Sequence, residues 1–289
     1  MLFIGACGSG GGDSNNTGST GGKGSITVGS DSFPEAQIVA EMYAQVLEKA
    51  GYTVQRQLNL KSREVRLPAM EKGDINVAPE YLATLLSVLD ANATPTGDPA
   101  ATAAQLKPLL AKKGLALLEP SNVVDTNAFV VTQATADQYH LSKMSDLGPV
   151  AGQLTLGGPP ECPKRPFCIP GLKDTYGATF ADFKALEYGA ATAQALDAGA
   201  VDIALLFSTD PLIAAKGFVL LEDDKHLQSA DNITPLVTGD MAGDLGPILN
   251  PVSAALTVGE VTALNKRVAI DHEDAAAVAK DFLTQKGLL

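Results

Sequence analysis

The stretch Leu196–Asp210, LDAGAVDIALLFSTD, decides the fold. Gly199 stops a helix, and Val201 to Phe207 is a short apolar run without alternation, the pattern of a strand covered on both faces. Ser208-Thr209-Asp210 then stands at the carboxyl end of that strand, where ligands sit in open α/β sheets. An earlier stretch, Met70–Thr84, MEKGDINVAPEYLAT, repeats the order of helix, glycine, Asp-Ile and strand, and ends in Pro79-Glu80-Tyr81. Two such units far apart in the chain predict two similar lobes facing one cleft. Chance likeness between ordinary strand–helix units is the alternative.

Outward from these units, strands and helices alternate. Residues 25–30 alternate as a first strand, the loop Asp31-Ser32-Phe33-Pro34 leads into a helix over 35–49, and 53–60 reads as the second strand. A helix over 64–71 and a third strand over 74–78 complete the order expected of an α/β sheet with crossover helices. Helices over 81–89 and 100–113 and a strand over 115–120 follow. Residues 127–132 read as the first crossing between lobes, and 154–158 as a strand running into a glycine turn. After the strand over 217–221, residues 233–237 read as the return crossing, and helices over 246–255, 257–269 and 273–286 close the chain. The predicted division is 25–131 in a first lobe, 132–236 in a second, and 237–289 packed back on the first.

A chain of 289 residues is long enough for two such lobes. Its net charge of -12 excludes nucleic acid as a partner, since no basic stripe could neutralise phosphates. No apolar run is long enough to span a membrane. Residues 1–24 read as a lipoprotein signal remnant and a tether. Leu2 to Cys7 followed by Gly8 resembles the end of a bacterial lipoprotein signal, short and lacking a basic start, with Cys7 as the lipidated residue. Gly8 to Gly24 is almost all Gly, Ser, Thr and Asn, a flexible linker, so the only expected membrane attachment is the lipid. Cys162 and Cys168, in PPECPKRPFCIPG, fit one disulfide bracing a loop; the metal alternative has neither a C-x-x-C spacing nor a nearby histidine.

Catalytic signatures are missing. The sequence has no G-x-S-x-G, H-E-x-x-H, Walker or G-x-G-x-x-G motif, and His140, His226 and His272 lie in polar segments. No catalytic residue, cofactor or metal is expected.

Four segments in order carry a family resemblance: Ser30-Asp31-Ser32-Phe33-Pro34-Glu35 with Glu41-Met42-Tyr43, Gly73-Asp74-Ile75 through Pro79-Glu80-Tyr81, Thr126-Asn127-Ala128-Phe129, and Phe207-Ser208-Thr209-Asp210. Together they resemble the substrate-binding proteins of compatible-solute ABC importers, which take glycine betaine, choline and carnitine. The loop Gly157-Gly158-Pro159-Pro160-Glu161-Cys162 is most similar to actinobacterial members. The resemblance implies a two-lobed type II periplasmic-binding-protein fold, each lobe a sheet flanked by helices, with two crossover segments. It also implies a monomeric, extracytoplasmic receptor at the outer face of the cytoplasmic membrane that closes on its solute and delivers it to a permease and its ATPase. The implied ligand contacts are Ser30, Asp31, Ser32, Phe33, Ala78, Glu80, Tyr81, Asn127, Gly158, Pro159, Phe207, Ser208, Thr209 and Asp210.

Family members hold quaternary ammonium in a cage of tyrosines. This chain departs from that pattern, with Ala78, Asn127 and Phe207 at positions where the family carries Tyr, and Pro34 where it carries Thr. A neutral or aromatic solute therefore stands beside the betaine-like one, and Arg165 is available to meet a carboxylate. A ligand sensor or an envelope enzyme on the same scaffold are the readings from other classes.

Overall fold

The computed structural model describes residues 23–289 except 94 and 96. The expected lipidation site Cys7 lies outside the described residues, as does the tether up to residue 22. The first part of the chain runs β1 (Ser25–Asp31), α1 (Pro34–Lys49), β2 (Thr53–Leu60), α2 (Arg63–Lys72), β3 (Val77–Tyr81), α3 (Leu82–Leu89), α4 (Pro99–Ala111) and β4 (Leu115–Leu117). The middle runs β5 (Asn127–Val131), α5 (Gln133–Tyr139), β6 (Thr155–Gly158), α6 (Ile169–Tyr176), β7 (Asp182–Ala185), α7 (Ala190–Asp197), β8 (Ile203–Phe207), α8 (Leu212–Ala215) and β9 (Val219–Leu220). The last part is β10 (Ile233–Thr238), α9 (Ala242–Ala255), α10 (Val258–Ala269) and α11 (Ala275–Gln285).

The strands form two five-stranded sheets, ordered β2-β1-β3-β10-β4 and β7-β6-β8-β5-β9. In each, one strand runs antiparallel to both neighbours: β10 between β3 and β4, and β5 between β8 and β9. These are the strands by which the chain enters each sheet from the other. The architecture is the expected two-lobed α/β fold.

Three local readings change. Strand β5, expected as a crossing at the end of the first lobe, pairs with β8 from Asn127↔Phe207 to Val131↔Ile203 and so belongs to the second sheet. Strand β10, expected as the return crossing, lies in the first sheet against β3. The chain changes sheets instead through 118–126 and 221–232. These connectors run side by side, with a Val124↔Asn232 bridge and the Asp125 N–H donating to the Asp231 carbonyl at 3.1 Å. Hydropathy locates a strand but not its partner, so the sequence alone puts both crossings one strand away. Strand β3 begins three residues later than expected, because Gly73 at φ +82° turns the chain and Asn76 accepts the Thr27 N–H through its side chain at 2.8 Å. Pro79-Glu80-Tyr81 thus lies inside the strand. Strand β7 gave no signal; it is an edge strand, mostly exposed and without apolar alternation.

Packing follows from the layers. Helix α1 starts on Pro34, preorganised for a first helical position, and is buried nearly all round. Its Ile38, Val39, Met42, Tyr43, Val46 and Leu47 lie between the first sheet and helices α9 to α11. Each such side chain contributes roughly 1.5–3 kcal/mol of burial. Helices α2 to α4 cover the opposite face through Leu67, Leu82, Leu85 and Leu106. The second sheet is likewise covered by α5 and α6 on one face and α7 and α8 on the other.

Candidate binding site between the lobes

The carboxyl ends of β1, β3 and β8 and the two connectors border a cleft between the lobes. Its first-lobe wall includes Phe33, Arg63 and Tyr81; Asp125 and Asp231 come from the connectors. Its second-lobe wall includes Asn127, Pro159, Arg165, Tyr188 and Phe207. Four rings from both lobes meet there. Phe33 lies 6.0 Å from Tyr81, 5.6 Å from Tyr188 and 5.0 Å from Phe207 between centroids, and Tyr188 stacks on Phe207 at 4.9 Å. The Tyr188 hydroxyl donates to Glu161 at 2.7 Å.

Beneath the first-lobe wall lies a buried charge network. Arg63 and Arg66 stand three residues apart on α2, so they share a helix face. Arg63 Nε donates to Glu80 at 2.8 Å, while Arg66 donates to Glu80 at 3.0 Å and to Asp31 at 2.9 Å. Glu80 and Arg66 are fully buried. Burial alone would push the Glu80 carboxyl up, but the two guanidinium groups outweigh it and hold it at about 2.

A second polar junction joins the lobes. Glu35, at the start of α1, accepts from the Tyr81 hydroxyl at 2.7 Å, the Thr209 hydroxyl at 2.6 Å and the Asn265 amide at 3.3 Å. Asp125 accepts from the Ser208 hydroxyl and the Thr209 N–H, each at 3.0 Å. Burial pushes both carboxyls up, with Asp210 adding to the push on Glu35 and Glu35 to that on Asp125; among the described residues neither has a basic nitrogen within 4.0 Å. Asp231 accepts from the Thr84 N–H at 3.1 Å and from the Thr84 hydroxyl, and burial raises it to about 6. Across the cleft, Arg165 donates to Glu64 on α2 at 2.7 Å, the one ion pair between lobes among the described residues. Arg165 Nε is buried without a partner.

Of the residues named from sequence, Asp31, Phe33, Tyr81, Asn127, Pro159 and Phe207 line this cleft. Ser32, Thr209 and Asp210 lie beyond the ring cluster, in a second cavity that Phe33 and Phe207 also border. Ser208 is engaged with Asp125. Ala78 belongs instead to the first-lobe core with Leu67 and Ile75, because alternation along β3 turns it away from the cleft. Glu80 is buried under the wall, Ser30 is buried in β1, and Gly158 packs at the end of β6, where an added Cβ would lie 3.3 Å from that of Leu205. Cys162 and Cys168 are bonded, with their Cα atoms 5.3 Å apart, and both line the cleft. Arg63, Asp125, Tyr188 and Asp231 were not foreseen. Only the R-x-x-R spacing on α2 and the aromatic just before α7 could have pointed to any of them. Among the described residues no cluster could hold a metal ion, and no helix is long and apolar enough to cross a membrane.

Residues 24–285 match the family model described as the substrate-binding domain of ABC-type glycine betaine transport systems. The chain is 27% identical to a glycine-betaine-binding protein of Pseudomonas aeruginosa, over 91% of this chain and 88% of that one. It is 26% identical to a carnitine transport binding protein of Listeria monocytogenes, over 90% and 86%. A crystal structure of a glycine betaine/carnitine/choline ABC transporter protein superposes with a TM-score of 0.69 at 26% identity, covering 91% of this chain and 99% of the other. With that match running from the first strand to the last helix, the chain belongs to the substrate-binding domains of ABC-type glycine betaine transport systems, a family that binds solutes outside the cytoplasm for a permease and its ATPase and is not enzymatic.

Proposed function

We propose that the chain captures a compatible solute of the glycine betaine, choline or carnitine kind in the interlobe cleft. The observation that carries this reading is the meeting of four rings from both lobes beside the carboxylates of Asp125, Asp231 and Glu161. A quaternary ammonium has no N–H to donate, so ring faces and negative charge are what recognise it. The rings fill the space between themselves, which leaves the cation against the outer face of the cluster. Arg165, whose guanidinium lines the same cleft, supplies a seat for a carboxylate. The ligand contacts on this reading are Asp31, Phe33, Tyr81, Asn127, Pro159 and Phe207, joined by Tyr188 and Arg165. The names of the relatives, which bind glycine betaine and carnitine, agree with it.

The paired connectors form the hinge, and a solute that touches both walls favours the closed form over the open one. The receptor acts as a monomer, held by a lipid on Cys7 and its glycine-rich tether to the outer face of the cytoplasmic membrane. A second reading, a neutral or aromatic solute, is favoured by the stacking of Tyr188 on Phe207, which offers a flat ring an extended partner. Calorimetric titration with glycine betaine, carnitine, choline and neutral aromatic solutes decides between them. Glycine betaine and carnitine should bind, and Arg165→Met should weaken both by roughly tenfold or more while leaving choline unchanged. Heat from aromatic solutes alone would transfer the cleft to the second reading.

A further inference from the structure

Two guanidinium groups stand in the walls of the cleft, and they are not equally free. Arg63 donates through Nε and Nη2 to Glu80, which is fully buried. Arg66 engages Glu80 and Asp31, so two guanidinium groups meet two buried carboxylates and that network is balanced. A solute carboxylate reaching for Arg63 would have to break a pair whose other member cannot go to water.

Arg165 is different. Its ion-pair partner, Glu64, belongs to the other lobe and stands in the first turn of α2. The Glu64 side chain is 49% exposed, against 14% for Arg165. The contact is a single hydrogen bond from Arg165 Nη2 to one carboxylate oxygen at 2.7 Å. Partial burial alone would push the Glu64 carboxyl up, but Arg165 outweighs it and holds it below its ordinary value. Glu64 is therefore charged at neutral pH, as a solute carboxylate is. On release it loses little, because it is already half in water and the amino end of α2 favours a negative charge.

We propose that Glu64 is an internal rival for the solute's carboxylate, holding Arg165 until that carboxylate displaces it. Glu64 is on this account a specificity-determining residue, which sets how strongly the receptor favours a solute with a carboxylate over one without. The inference rests on the seat assigned to Arg165 above. Two carboxylates on one guanidinium repel each other, so such a solute either displaces Glu64 or binds against its charge. Both lower its apparent affinity. Choline, which carries a hydroxyl in place of the carboxylate, meets no such opposition. Because the pair also joins the lobes, a latch on the closed form is the rival account, and a latch helps every solute alike.

The test is calorimetric titration of the full chain and of its Glu64→Gln variant with glycine betaine, carnitine and choline. The substitution keeps the shape of the side chain and removes its charge. Glycine betaine and carnitine should bind the variant about two- to five-fold more tightly, the range of a partly exposed ion pair, with choline unchanged. Carbon NMR of the Glu64 carboxyl in the wild-type chain gives a second readout. Its titration should move up toward the ordinary value under saturating glycine betaine and stay in place under choline. The proposal is overturned if the variant binds glycine betaine less tightly, which would make Glu64 a positioning residue for Arg165. It is overturned equally if all three solutes weaken together, as a latch requires, or if no affinity changes. Glycine betaine bound alike by both proteins sinks this inference alone, whereas glycine betaine bound by neither sinks the betaine reading of the cleft with it.

Discussion

The two sheets share a strand order position for position, yet the edges that face the cleft are chemically different. Strands β3, VAPEY, and β8, IALLF, both emerge from a helix that ends on a left-handed glycine, Gly73 at φ +82° and Gly199 at φ +68°. Both lie next to the antiparallel entry strand, and both end on an aromatic at the cleft, Tyr81 or Phe207. The difference sits one residue earlier. Glu80 in β3 and Leu206 in β8 are each fully buried. Leu206 packs with Val130, Ala193 and Leu196 and asks nothing further of the sequence. Glu80 obliges α2 to supply Arg63 and Arg66, which in turn engage Asp31. One position decides whether the backbone under a cleft wall is set in fat or in fixed charge.

Importing the apolar solution into the charged lobe should have the largest effect. Glu80→Leu leaves two guanidinium groups buried without their shared carboxylate, and removing one partner of a buried pair costs about 3–5 kcal/mol. Urea unfolding measures it. A loss below about 1 kcal/mol, the range of an exposed pair, would mean that the network is solvated and the contrast between lobes is superficial.

The connector offers the opposite sign. Glu80 is lowered from 4.5 to about 2, so its contribution to stability is present above pH 4.5 and is lost as pH falls through 2. Asp231 is raised from 3.8 to about 6 by burial, so the folded state binds its proton more tightly. Stability from that group is full below pH 3.8 and lost as pH rises through 6. At neutral pH this costs about 3 kcal/mol at most, at 1.36 kcal/mol per unit. Asp231→Asn should therefore stabilise the protein at pH 7 and give no advantage near pH 3.5. Equal gains at both pH values would locate the effect in packing and not in ionisation.

The second lobe has a brace where the first has charge. The disulfide closes a loop with a sequence separation of 6 that carries Arg165 to the cleft. Chain-entropy arithmetic for so short a loop gives about 2 kcal/mol. The Cys162→Ser, Cys168→Ser double variant should lose that much stability by calorimetry and keep a native far-ultraviolet spectrum. Gly171 sharpens this further, because an added Cβ there would lie 2.0 Å from the Pro166 carbonyl oxygen. Gly171→Ala should displace the same loop with the disulfide intact.

Much of the fold was legible because it rests on local signals. The αL glycines, the alternation of β1, the apolar runs of β5 and β8 and the stripe on α1 are each visible in a dozen residues. The crossings were misplaced because β5 and β10 look alike whichever sheet they join, and pairing is a long-range fact. In the site, residues at strand ends were legible from the rule that ligands gather there. Tyr188 and Arg63 were not, since they reach the cleft from helix edges and depend on how lobes meet. Ala78 shows the limit of carrying a role across by motif, for one step in register along β3 separates the cleft from the core.

The smallest effects lie at the paired strand ends, and they test whether the two aromatics do the same work. Tyr81 is 7% exposed and its hydroxyl is committed to Glu35, so Tyr81→Phe should cost about 1 kcal/mol of stability and little affinity. Phe207 is half-buried, presents its ring to Tyr188 and Phe33, and has no polar handle. Phe207→Ala should weaken a quaternary ammonium ligand by about tenfold, or 1–2 kcal/mol, and lower the melting temperature only slightly. If Phe207→Ala instead destabilises the fold and leaves affinity unchanged, that ring is core. The lobes would then differ only beneath the cleft and not at its surface, and selectivity would have to come from Tyr188 and the disulfide loop alone.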